Sequence, residues 1–155
     1  MSISEGARFS LALASVLSQI NKENGYLTDI GHSVHAGFWA HVIRARSAPM
    51  PAIVIHPGAE SPAGVSGSGL QSKITIKIPL IVVARLESDA GDFSIGADCM
   101  RDVRRAVYRN KELLEEVAQK GSVELGASLP DMSVDSVYRL FVTDVTSTIV
   151  ENYEE

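Results

Sequence analysis

The sequence has 155 residues, of which 45% are hydrophobic and 21% charged, and its formal net charge is −5. These values are typical of one globular domain with a real core and not of a disordered chain, and nothing in them suggests a protein that binds nucleic acid by neutralising phosphates. A single cysteine, Cys99, excludes an internal disulfide. No apolar run is long enough to cross a bilayer, and we expect no signal peptide at the N-terminus.

A helix is predicted at the start of the chain. Ser2 and Glu5 fit a capping box, in which the serine hydroxyl and the glutamate carboxylate bind free backbone amides. Apolar residues then recur at helical spacing, which predicts a helix from about Ile3 to Ile20. Gly25 is predicted to end this helix, because glycine adopts the left-handed conformation at low cost.

Strands follow. Residues 33–46 have weak strand character, and the β-branched run 52–56 predicts a short strand. Residues 57–72 are rich in glycine and serine and poor in large apolar residues, so they are predicted to form a long flexible loop. Residues 73–85 predict the clearest strand, with a polar face at Lys73, Thr75 and Lys77. Pro79 lacks an amide, which places it at a sheet edge or a bulge.

The second half of the chain predicts two helices near 91–120. Residues 89–92 are expected to cap the first helix, whose apolar stripe is Ile95, Cys99, Val103, Ala106 and Val107. Asn110 is predicted to cap the second helix. Strands are predicted at 123–125 and 136–151. The expected fold is therefore α+β: one domain over residues 1–155, with a mainly antiparallel sheet of four or five strands and the helices packed on one face.

The stretch "NGYLTDIGHSVHAGFW" raises the question of a metal site. A zinc site needs three or four converging ligands, whereas His32 and His35 are three residues apart between glycines and without helical periodicity. On a strand, residues three apart face opposite sides. Turn histidines are therefore the favoured interpretation, and the stretch is predicted to join a helix to the sheet. A small hydrolase using Asp29, His32 and His35 remains the enzyme alternative.

No other catalytic pattern is present. Cys99 lies on an apolar helix stripe, where a buried inert thiol is expected. The glycine-rich run "GVSGSG" lacks the lysine of a phosphate-binding loop and precedes a strand instead of a helix. The sequence thus favours a binding or assembly protein that has no cofactor.

Charge is unevenly distributed along the chain. Arg101, Arg105 and Arg109 are spaced by four, so they share one helix face. Such a face is usually solvated and balanced by nearby acids, here Asp98, Asp102 and Glu112. Less often it docks an acidic partner. The C-terminal region is acidic. Opposite charges at two places on one chain are compatible with head-to-tail association, which can close into a ring.

Several stretches carry a family resemblance that covers most of the chain. These are "INKENGYLTDIG" followed by "VHAGFW", then "PMPAIVIHPGAE", "KITIKIPLIVVARLE", "DCMRDVRRAVYRN" and "YRLFVTDVTSTIVENY". In them the sequence resembles the tail terminator, or tail completion, proteins of tailed bacteriophages.

The resemblance implies a structural virion protein at the tail–neck junction, assembled in the host cytoplasm. A homohexameric ring would cap the head-proximal end of the tail tube, stop its polymerisation and present a surface to the neck or head-completion protein. Contractile tails add contact with the sheath protein. Genomic DNA would only pass through the lumen, and no membrane is involved. Another head–tail joining protein is the nearest alternative. The residues expected at subunit or partner contacts are Glu60, Val65, Leu70, Arg101, Arg105, Arg109, Asp144 and Glu151.

Overall fold

A computed structural model describes residues 3–44, 49–65, 67–85, 89–131 and 138–153. The helices are α1 (Glu5–Leu17), α2 (Trp39–Arg44), α3 (Asp89–Arg109) and α4 (Lys111–Leu114). The strands are β1 (Val34–Ala36), β2 (Ala52–Ile55), β3 (Ala59–Val65), β4 (Gln71–Arg85), β5 (Glu124–Leu125), β6 (Leu129–Asp131) and β7 (Tyr138–Asn152). None of the helices in these ranges is long and apolar enough to cross a membrane.

The described strands form one seven-stranded sheet in the order β1-β2-β4-β7-β5, with β3 also beside β4 and β6 also beside β7. The α+β class is confirmed. The sheet is larger than the four or five strands predicted, because β3 and β6 were not expected. It is also mixed, since β1 pairs with β2 in parallel while every other pairing is antiparallel.

The alternation of β4 builds the main core. Its even-numbered residues, such as Ile76 and Leu80, pack under α1, α3 and α4. The predicted packing of these helices on one face is therefore confirmed. The opposite face carries a second apolar cluster, in which Val42 of α2 covers Val54 and Ile81. This helix, α2, was not predicted; it forms within the region where a weak strand was expected.

Pro79 lies in the middle of the sheet, so the predicted edge position is wrong. The Pro79 carbonyl accepts a hydrogen bond from the His56 amide at 3.0 Å. A residue's N–H and C=O point to the same side of a strand, so the missing amide faces the link between β2 and β3. At that point the strand beside β4 changes from β2 to β3. Because the missing amide faces away from β7, no backbone hydrogen bond to β7 is lost.

The N-terminal helix is shorter than predicted at both ends. It begins at Glu5, and Ser4 is the N-cap, with its hydroxyl accepting from the Ala7 amide at 3.2 Å. Ser2 of the predicted capping box lies outside the described residues. The helix ends at Leu17, and Gly25 (φ 85°) instead closes a separate 3-10 helix over Lys22–Asn24.

The loop predicted over residues 57–72 is wrong for its first half, where β3 pairs with β4. All seven residues of β3 are exposed. The low apolar content of this stretch therefore did not indicate whether it forms a strand. Backbone hydrogen bonding to a strong neighbouring strand is sufficient to order an edge strand that buries little.

Two expectations for the helices near 91–120 also change. Ile95 is exposed and does not extend the apolar stripe formed by Cys99, Val103, Ala106 and Val107. The Asn110 side chain makes no cap bond to α4; it donates to the Ala106 carbonyl at 2.8 Å and so ends α3. The capping predicted for residues 89–92 concerns side chains outside the described set.

Candidate assembly interface

Half of the predicted interface residues lie together on a three-stranded extension of the sheet. This extension, the distal arm, consists of β3, residues 71–78 of β4 and residues 145–152 of β7, with the turn between β3 and β4. Glu60 pairs with Ile76, Val65 with Ser72, and Ser72 with Glu151. A register shift between Pro62 and Gly64 changes the alternation, so Glu60 and Val65 share a face although they are five residues apart.

The end of the distal arm exposes several apolar side chains. Val65 is 65% exposed, and Leu70, Val150 and Tyr153 are exposed as well. The Tyr153 amide donates to the Leu70 carbonyl at 2.7 Å, which ties the chain end to the β3–β4 turn. The Tyr153 hydroxyl donates to Glu151 Oε2 at 2.7 Å, and this bond to the carboxylate raises the pKa of Tyr153. The arm therefore ends in an apolar tip beside an acid.

The outer edge of β3 carries features that oppose open-ended strand pairing. Pro62 lacks a donor, the bulge follows it, and Glu60 brings a charge to the edge strand. The Glu60 side chain also lies close to α1, since a Cβ added at Gly6 would be 2.7 Å from Glu60 Oε1. A carboxylate beside the first turn of α1 is favourable, since the helix N-terminus carries partial positive charge. Glu60 thus has an internal structural role in addition to any contact with a partner.

The predicted row of three arginines on α3 is divided by the structure. Arg105 is half-buried: its Nη1 donates to the Gly25 carbonyl, and its guanidinium carbon lies 5.0 Å from the centre of the Tyr26 ring. Arg101 and Arg109 are exposed and form no ion pair with any described residue. Arg105 therefore fastens α3 to the loop after α1, and only the other two remain available for a partner.

Asp144 lies away from the tip of the distal arm. It pairs with Pro79 across β4 and β7, on the sheet face opposite α1. Its carboxylate is 3.7 Å from Lys77 Nζ, an ion pair in which both side chains are partly exposed. Such pairs add little stability. The structure therefore does not group Asp144 with Glu60, Val65, Leu70 and Glu151.

Part of the stretch 24–39, which contains the two histidines considered as metal ligands, lines a cleft of about 400 Å³. The cleft lies between the loop after α1 and the start of α3. Asp29 and His32 lie in this cleft, and Asp29 Oδ1 accepts from the Lys22 amide at 2.8 Å. His35 is on β1, with its Nε2 2.8 Å from Ser33 Oγ, and is not part of the lining. Within the described ranges, no three His, Cys, Asp or Glu side chains form a group that could hold a metal ion.

A buried acid beneath the α3 arginines was missed by the sequence analysis. Asp102, expected at the surface, is 0% exposed. Its carboxylate accepts from the Leu27 amide at 3.1 Å, the Thr28 amide at 2.8 Å and the Thr28 hydroxyl at 2.7 Å. The one sequence feature that could have indicated the burial of Asp102 is its position next to Val103, which belongs to the apolar stripe of α3. Cys99, one turn earlier, is buried as predicted, and this burial raises the pKa of its thiol to about 12.

The α3 helix thus has an inner side that holds the loop and an outer side that is basic. We define the α3 arginine face as Ala97, Arg101, Arg104, Tyr108 and Arg109, all of which are exposed. Together with the distal arm, it is the part of the described surface whose chemistry best fits a protein partner.

No model of a known protein family matches the chain, and no curated protein matches its sequence significantly.

Proposed function

We propose that this chain is a structural protein of a bacteriophage tail, which forms a ring at the head-proximal end of the tail tube and ends tube polymerisation. The resemblance of the sequence to tail terminator proteins motivates the proposal. The observation that carries it is the distal arm, whose end exposes Val65, Leu70, Val150 and Tyr153. Val65 and Val150 lie on opposite faces of the arm, since Val65 pairs with Ser72 and Val150 with the next residue, Lys73. Exposed apolar side chains beside charged residues are typical of protein–protein contacts.

The edge of β3 supports a protein that ends a polymer. A terminator must bind the last tube ring without offering an open strand to which further copies could add. Pro62 and the adjacent bulge make β3 a poor template for continued strand pairing. An apolar tip combined with a protected edge therefore favours a closed assembly over an open fibre.

The proposal is tested by adding the purified chain to polymerising tubes of the cognate tail tube protein and measuring tube lengths by negative-stain electron microscopy. We expect shorter tubes with a ring at one end. Val65→Asp with Leu70→Asp should abolish capping, because charges in an apolar contact must be desolvated. Leu129→Asp is the control, since Leu129 is about as exposed as Val65 (63% against 65%) but lies on β6, outside the arm. Tubes that grow unchanged while the chain stays monomeric would overturn the proposal.

The same assay separates the neighbouring possibility of a head–tail joining protein. Such a protein would bind a finished tube end without limiting growth, so tube length would not depend on its concentration. Metal analysis addresses the hydrolase alternative, for which stoichiometric zinc on the purified chain would be the supporting result.

A further inference from the structure

The described helices do not cover the outer face of the distal arm. α1, α3 and α4 pack on the inner face, against the even-numbered residues of β4, while α2 covers the sheet around Val54 and Ile81. Directly paired residues point to the same side of a sheet, so the register shows which side chains share the outer face. We define the outer arm face as Lys73, Thr75 and Lys77 of β4, Thr146 and Thr148 of β7, and Glu124 of β5.

The middle of the outer arm face carries no charge. Thr75 pairs directly with Thr148, Thr146 is the next residue on the same side of β7, and all three are partly exposed. Threonine side chains are short and stiff, so they lose less rotamer freedom on docking than lysine or glutamate. An uncharged centre with charged residues around it is typical of a protein–protein interface.

Two opposite charges lie unpaired at diagonal corners of this face. Lys73 and Glu124 are exposed, and neither forms an ion pair with a described residue. They are separated by two strand spacings and four residues, about 17 Å in the plane of the sheet, which is too far for a direct pair within one chain. Lys77 already lies 3.7 Å from Asp144. The charges that remain available to a partner are therefore one lysine and one glutamate.

Thr148 lies midway between these two corners. Lys73 pairs with Val150 and Glu124 pairs with Thr146, and β7 lies between β4 and β5. A half-turn about an axis in the plane of the face, through Thr148 and across the diagonal, would place Lys73 of each copy opposite Glu124 of the other. Packed sheets lie about 10 Å apart, a distance that a lysine and a glutamate side chain can bridge.

We propose that the outer arm face binds the same face of a second copy, about a two-fold axis through Thr148. Charge complementarity selects a second copy as the occupant, because this one face supplies both members of each ion pair. The footprint, three strands wide and five residues long, is about 250 Å². A standard interface buries about 800 Å² per partner, so this pair is weak and reversible.

This contact goes beyond the proposed function and does not depend on it. A two-fold contact uses the same surface on both copies and closes at two, whereas a ring repeats a contact between two different surfaces. The pairing is therefore measured on the free chain, and tube capping is measured separately.

The test uses charge reversal at the two corners. Lys73→Glu places two glutamates opposite each other at both corners of the pair, and Glu124→Lys places two lysines there. Each change alone should raise the dissociation constant by about tenfold or more. The double variant, Lys73→Glu with Glu124→Lys, should pair like the unmodified chain because every contact again joins opposite charges. An equal mixture of the two single variants should recover pairing for the same reason.

Pairing is measured by sedimentation equilibrium over a range of protein concentrations. Added salt should weaken the pairing of the unmodified chain, because its two ion pairs are screened. Arg139→Glu and Glu23→Lys are the matched controls: they make the same changes in charge at exposed residues outside the outer arm face, and both should pair like the unmodified chain. Circular dichroism checks that every variant is folded.

A cross-linking experiment tests the position of the axis. A residue on a two-fold axis meets the same residue of the second copy, so Thr148→Cys should be joined into dimers by a short bifunctional maleimide. Ala97→Cys, exposed on α3 and away from this face, is the control and should stay monomeric. Cys99 is buried and does not compete for the reagent.

Three results would overturn the contact. Equal pairing of the unmodified chain and both single variants assigns self-association to another surface. A chain that stays monomeric at every concentration, with no cross-link through position 148, rejects the pairing, whatever the capping assay shows. Loss of tube capping in Lys73→Glu, with a free chain that is monomeric, assigns the outer arm face to the tube protein instead. Failure of capping with pairing intact rejects only the proposed function.

Discussion

Replacement of Asp102 by alanine tests how α3 holds the loop after α1. The Asp102 carboxylate is fully buried, forms no ion pair with a described residue, and accepts three hydrogen bonds from Leu27 and Thr28. Its removal leaves two backbone amides and a hydroxyl without their acceptor. The position thus isolates the contribution of one buried acid to one loop.

The expected loss follows from the number of donors left unpaired. An unsatisfied buried donor costs about 1–3 kcal/mol. Leu27 is partly exposed, so water can reach its amide and reduce the cost there. The sum for Asp102→Ala is then about 3 kcal/mol, a large share of the 5–15 kcal/mol that is typical of a whole domain. Asp102→Asn should lower the unfolding free energy by about half as much. The asparagine oxygen still accepts a hydrogen bond, whereas its NH2 group faces a donor and leaves that donor unpaired.

Urea unfolding followed by circular dichroism measures the difference in unfolding free energy. Asp98→Ala is the matched control: Asp98 lies one turn earlier on α3, is half-exposed, and makes no hydrogen bond or ion pair with a described residue, so its change should stay below about 0.5 kcal/mol. If Asp102→Ala unfolds within about 1 kcal/mol of the unmodified chain, the reasoning about unpaired buried donors fails.

Three further predictions concern packing and protonation. Arg105→Ala should lower the unfolding free energy by about 1–2 kcal/mol through loss of the aromatic stack and the carbonyl bond, while Arg101→Ala should stay near zero in the same urea assay. A Cβ at Gly31 would lie 2.5 Å from a backbone carbonyl oxygen, so Gly31→Ala should cost about 3 kcal/mol, whereas Gly64→Ala, with open space around it, should be nearly neutral by thermal melting. Burial raises the pKa of the Cys99 thiol from 9.0 to about 12, so the unfolded chain loses this proton first as the pH rises. The unfolding free energy should therefore fall by about 1.4 kcal/mol between about pH 8 and 10 through this group. Cys99→Ala should remove that part of the pH dependence.

The strongly patterned elements were predictable from sequence. β4 alternates polar and apolar residues over its first half, and both its existence and its polar face at Lys73, Thr75 and Lys77 are confirmed. The stripe through Cys99 and Val107 likewise placed α3 against the sheet. Periodicity identifies these elements because burial of one face is what stabilises them.

Elements stabilised by their neighbours were not predictable. β3 buries none of its residues and depends on hydrogen bonds to β4, which no local pattern records. The predicted contact residues Glu60, Val65, Leu70 and Glu151 therefore appeared scattered in sequence, and only the β3–β4–β7 register places them together. Their role in binding a partner stays a prediction.

The arginines of α3 show why spacing alone does not define a binding face. Positions 101, 105 and 109 are equivalent in a helical repeat of four, yet Arg105 lies over Tyr26 and bonds to Gly25, whereas its two neighbours in the row remain free of ion pairs within the described structure. The difference comes from the loop after α1, which Asp102 holds against the inner side of the same helix. A reversal at position 105 would therefore report on folding, whereas a reversal at position 101 or 109 leaves these contacts with the loop in place.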